Sequence, residues 1–194
     1  MQRDPDRMVL FTDAVVAIAI TLLVLPLVDV VHVSVAEHRP SIEVLTEHQP
    51  QIYSFLLSFV VIARLWMVHH SLFEDVKVYT RPMMLWNMLW LLTIVVLPFP
   101  TEMVGSYSND RFTPLFYTGT IVVSSICLTV LRVTIVGGVD RRSLSSASTT
   151  GLLVAAFILT ALVPATSYFS LLLLLLAPLL SMVFNRGAQP EVAQ

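Results

Sequence analysis

The stretch Val9–Leu27, VLFTDAVVAIAITLLVLPL, decides the fold class. Its length and apolarity fit a membrane-spanning helix, which needs about 20 predominantly apolar residues. One residue is out of place. Asp13 lies near the start of the run, and an ionised carboxylate in hydrocarbon is costly unless it is paired. A segment serving only as an anchor has no use for it.

The rest of the chain has the same character. Of 194 residues, 56% are hydrophobic and 12% charged, against about 25% charged in soluble domains. The pattern indicates an all-α, multi-spanning membrane protein. A net charge of −2 excludes a basic nucleic-acid surface. The single cysteine, Cys127, permits no intrachain disulfide and reads as small apolar filler. The charged N-terminus is followed by a spanning run with no small-residue cleavage site, so the first helix is expected to be retained.

Six helices are expected, at about 8–31, 52–70, 82–99, 112–136, 149–163 and 168–184. Together they make one transmembrane domain over 1–185, followed by a disordered tail over 186–194. Pro98 and Pro100 are expected to close the third helix, and Gly137 and Gly138 the fourth. The last two helices divide a short greasy stretch around Pro164–Ser167. With the N-terminus inside, Arg3, Arg7, Arg64, Lys77, Arg81, Arg132, Arg141, Arg142 and Arg186 fall on the cytoplasmic side. Only Arg39 and Arg111 then fall outside. Nine basic residues against two set the orientation and require an even number of spans, with both termini cytoplasmic. Arg64 and Arg132 are expected to snorkel to the inner boundary. Arginine outnumbers lysine ten to one, a bias of GC-rich bacterial genomes, so a bacterial plasma membrane is the expected location.

Polar residues inside such helices face a bundle interior or a wet cavity. At 100° per residue Ile18, Thr21, Leu22 and Leu25 share one stripe of the first helix, and Asp13 lies well round from it. Counting depth along alternating helices puts Asp13, His69 and Asn87 in one layer. There an imidazole and an amide could satisfy the carboxylate. Tyr107 and Tyr117 read as interfacial aromatics, and Trp86 and Trp90 as lipid-facing or packing ones. His69 has no second ligand pair at metal-binding spacing. No nucleophile–base set, glycine-rich phosphate loop or catalytic carboxylate pair appears, so neither an enzyme nor a cofactor is expected.

Those residues also carry a resemblance. Arg7-x-x-x-Phe11-Thr12-Asp13 resembles the RxxxFSD signature of the family of the lysosomal potassium channel called transmembrane protein 175. Trp66-x-x-His69-His70, Leu85-Trp-Asn87 and Leu97-Pro-Phe-Pro-Thr101 extend the resemblance from Arg7 to about Thr101. It implies a six-helix subunit, a homotetramer and a potassium-preferring cation pore lined by first helices. By position, Ile18 would be the constriction, Thr21 a ring of hydroxyls and Leu25 a second apolar ring. Arg7, Phe11, Thr12, Asp13, Trp66, His69 and Asn87 would form the structural network behind it. The implied partners are membrane lipid, further copies of the chain and permeant potassium ions. Two departures stand out: Thr12 replaces serine, and Pro26 stands where many members have an acidic residue. The residues alone leave a second reading open, a proton-coupled carrier or proton-leak pathway using Asp13 and His69.

Overall fold

The computed structural model describes residues 5–74, 76, 78–107, 110–138, 150–151, 153–155 and 157–158. The expected fifth helix, apart from a few residues, the expected sixth helix and the tail lie outside the described residues. Seven helices cover most of the remainder: α1 (Pro5–Leu22), α2 (Leu25–Ala36), α3 (Ser41–Glu47), α4 (Gln49–Phe73), α5 (Arg81–Val96), α6 (Pro98–Ser106) and α7 (Phe112–Val136). Four runs are long and apolar enough to cross a membrane: Asp6–Ala36, Gln49–Phe73, Arg81–Ser106 and Phe112–Val136. Every regular element among the described residues is a helix, and the chain is a multi-pass membrane protein.

Two prolines change the boundaries read from sequence. The first run is not one helix but α1 and α2, interrupted at Leu23–Val24. Pro26 has no N–H to donate back four residues, and the chain tightens just before it. Leu23 N and Val24 N bond three residues back, to Ile20 O and Thr21 O at 3.3 and 3.4 Å. The third run is longer than expected. Pro98 opens α6 at its first position instead of closing α5. A proline there is tolerated because its missing N–H would have had no intrahelical partner. The chain keeps its course, with Thr101 N bonding Leu97 O at 3.1 Å, and the span ends at Ser106.

Cross-helix bonds fix the directions. Thr12 and Asp13, in the first half of α1, reach the last turns of α4 and the second turn of α5. Thus α4 runs antiparallel to α1, and α5 parallel to it. Ser58, in the middle of α4, meets Thr101 of α6 and Tyr117 of α7. α5 packs chiefly on α7, and α6 on α4. The approach of α6 to α4 needs a glycine. A Cβ on Gly105 would lie 2.9 Å from both Gln51 Cα and Ser54 Oγ. Beyond the spans, Arg39 pairs with Glu37 at 2.7 Å and with Glu47 across α3.

Candidate functional site: a polar layer and an open helix face

One side of α1 is buried within the subunit. Met8, Thr12, Val16, Ala19 and Leu23 recur at helical spacing and are all buried. Thr12 anchors the polar layer there. Asn87 Nδ2 donates to Thr12 Oγ1 at 2.9 Å, and Asn87 Oδ1 meets His69 Nε2 at 2.6 Å. The amide orientation fixes the imidazole. With Nδ2 turned to Thr12, Oδ1 accepts, so Nε2 of His69 carries the proton. Thr12, His69 and Asn87 are fully buried. His69 also stacks on Trp90, ring centroids 4.2 Å apart and planes 9° from parallel.

Asp13 belongs to a separate contact. Trp66 Nε1 donates to Asp13 Oδ1 at 2.7 Å. The sequence-based layer of Asp13 with His69 and Asn87 is therefore corrected. The carboxylate takes an indole donor, while imidazole and amide pair with each other and with Thr12. The reason is angular. Asp13 is one residue, about 100°, round from Thr12, so it faces α4 at Trp66 instead of the three-helix junction. Asp13 is half-buried, and Arg7 and Phe11 stand exposed on the subunit, outside the bonded layer. Trp66 in turn lies against the His70 ring at 5.4 Å.

The opposite side of α1 is open. Leu10, Phe11, Ala14, Ala17, Ile18, Thr21, Leu22 and Leu25 are exposed, Ile18 by 59% and Leu25 by 51%. The three residues singled out as pore-facing thus share a face that the described helices leave uncovered. Thr21 Oγ1 donates to Ile18 O at 2.7 Å. Because its proton is committed to the backbone, the hydroxyl oxygen can offer only lone pairs outward.

Sequence reasoning missed a second buried network. Tyr117, read as interfacial, is buried, and its hydroxyl meets Ser58 Oγ at 3.0 Å. Thr101 Oγ1 donates to Ser58 Oγ at 2.8 Å and lies equally close to Leu97 O. Isolated hydroxyls do not stand out in apolar runs, although a tyrosine six residues into α7 was an available signal. Of the two readings for Trp90, packing holds: it is fully buried against His69. Arg64, expected to snorkel, is half-buried. Its Nη1 is buried without a hydrogen-bond partner among the described residues. The described residues contain no group of three or more metal-ligating side chains.

The chain's similarities follow these residues. A family model described as "Endosomal/lysosomal potassium channel TMEM175" matches residues 7–98, the part that contains both the polar layer and the open face. Over these residues the chain is similar to the TMEM175 family. A potassium channel of Chamaesiphon minutus is 35% identical over 55% of this chain and 52% of its own length. One of Streptomyces collinus is 34% identical over 55% and 50%. The endosomal/lysosomal proton channel TMEM175 of Gallus gallus is 37% identical over 54% of this chain and 22% of its own. The chain thus spans about half the length of the bacterial curated relatives it matches. The crystal structure of a lysosomal potassium-selective channel TMEM175 homolog from Chamaesiphon minutus superposes with a TM-score of 0.75 at 28% identity. That match covers 91% of this chain and 97% of the other. By name, these relatives are channels and not enzymes.

Proposed function

We propose that the chain is a potassium-preferring cation channel. In this reading it is a homotetramer of six-helix subunits in a bacterial plasma membrane, with both termini cytoplasmic. The observation that carries it is the division of α1 into a bonded face and an uncovered one. Thr12 and Asp13 hold one side to α4 and α5, while Ile18, Thr21 and Leu25 stand free on the other. Four copies facing an axis would cover that stripe and surround a pore.

Four isoleucines at such an axis would gate by dewetting, since a narrow apolar pore empties of water until it widens. Ions crossing the widened form lose part of their hydration, which potassium gives up more readily than sodium. Thr21 lone pairs, one turn away, would replace some of that water. Without a backbone-carbonyl filter the preference is modest. In liposome flux, Ile18→Asn is expected to raise leak and blunt potassium-over-sodium discrimination. Unchanged discrimination would remove Ile18 from the constriction.

The carrier reading routes protons through Asp13 and His69. Its difficulty is that His69 is fully buried and committed to Asn87, with no bond to Asp13. Asp13→Asn separates the two readings. The amide oxygen still accepts from Trp66, so the channel retains flux. A carrier that needs the carboxylate's proton loses transport while remaining folded.

A further inference from the structure

Behind the break in the first span lies a cavity of about 10 Å³. Leu23 and Pro26 wall it on one side; Gln51, Ser54, Thr101 and Glu102 supply its polar lining. Its volume is at the lower edge of the roughly 10–15 Å³ that a cavity needs to hold one water. Its chemistry is one-sided. Ser54 Oγ donates to Gln51 O at 2.9 Å, so that proton is committed. The Thr101 proton is committed to Leu97 O or Ser58 Oγ, both at 2.8 Å. Glu102 Oε1 accepts from Ser106 at 2.7 Å and has no proton to offer as a carboxylate. Gln51 Oε1 is buried and has no hydrogen-bond partner among the described residues. Apart from the Gln51 amide N–H groups, the polar lining therefore presents oxygen lone pairs and one unsatisfied carbonyl.

We propose that this cavity is a binding site for one small hydrogen-bond donor, a single water molecule. The water donates to Gln51 Oε1 and to an oxygen of the Ser54–Thr101 wall. Its partners lie on α4 and α6, and Leu23 and Pro26 of the broken first span close the cavity over it. A metal cation fits less well. One carboxylate that already accepts a hydroxyl, plus a single free carbonyl, falls short of the six or more oxygens that hard cations such as calcium take. The site does not rest on the channel reading, and its test reads hydration, not conduction.

The test is hydroxyl-radical footprinting of the full-length protein in lipid nanodiscs, with a timed switch to ¹⁸O-labelled water. Phe55 also lines the cavity, whereas Phe59, one turn along α4, is exposed on the apolar surface. Phe55 is expected to label several-fold more than Phe59, and its incorporated oxygen to exchange slowly. Gln51→Met fills the space and removes the acceptor, and should bring Phe55 down to the Phe59 level. Ser54→Ala, a smaller change, should lower it in the same direction if the first variant does not fold. Phe55 labelling no greater than Phe59 in the unaltered protein overturns the proposal, as does labelling unchanged in both variants. Labelling that falls when potassium or sodium replaces N-methylglucamine also overturns it, because an ion would then be the occupant.

Discussion

Asn87 uses both ends of its amide across two helix interfaces, and this sets what its loss does. Asn87→Leu leaves the His69 Nε2–H and the Thr12 hydroxyl without their cross-helix partner in a buried layer. A buried group left unpaired costs about 1–3 kcal/mol. A clear drop in melting temperature in detergent is expected, together with loss of assembled particles on size exclusion. An unchanged melt would mean that the layer is not structural. These residues were legible because each is polar inside an apolar run. Their pairing was not. Depth can be counted along a helix, but which of two adjacent residues faces which neighbour depends on packing angles that the sequence does not state. Tyr117 shows the opposite failure: an aromatic hydroxyl suits an interface or a buried bond equally well, and only its neighbours Ser58 and Thr101 decide.

Among the elements, prolines misled most. Pro98 and Pro100 resembled a stop, yet α6 continues the span, since proline is compatible with a helix's first turn. Pro26 was read inside an unbroken first helix and instead divides it. The α4–α6 contact rests on Gly105. Gly105→Val drives a branched side chain against Gln51 Cα, and overpacking of this kind costs about 1–3 kcal/mol. Thermal unfolding should show the loss, whereas Val104→Ala, a neighbouring control, should cost less. At the start of α7, Asp110 accepts from the Phe112 backbone N–H at 3.2 Å and from the Thr113 hydroxyl at 2.9 Å. These bonds, the backbone one foremost, hold its carboxyl below the usual carboxylate range. A depressed value means that the folded form favours the charged carboxylate. Its contribution is complete at neutral pH and is lost as pH falls through the lowered value. Amide exchange at Phe112 and Thr113, corrected for the intrinsic rate, should accelerate in strong acid. In Asp110→Asn that added acid sensitivity should be absent.

For the whole molecule, the class was written in composition and run length, while the assembly was not. Exposure on a membrane helix marks lipid contact and subunit contact alike, because both are apolar. Ile18 at 59% and Leu92 at 59% cannot be told apart by that measure. What separates the faces of α1 is the bonded layer behind one of them. Native mass spectrometry from mild detergent is expected to give four copies. A monomer without an axial opening would end the proposed architecture.

The first apolar run has a further consequence. Thirty-one residues from Asp6 to Ala36 extend about 46 Å at 1.5 Å per residue, against a hydrocarbon thickness of about 30 Å. Absorbing the excess as a straight rod would take a tilt of nearly 50°, beyond the roughly 0–40° range of transmembrane helices. With Asp6 and Arg7 at one water boundary, the other boundary falls about 20 residues on, near Pro26. The remainder of α2 then rises as a collar above the bilayer. At that height Asp29 and His32 keep their hydration, so a carboxylate and an imidazole sit on an otherwise greasy helix without the desolvation that Asp13 must meet lower down.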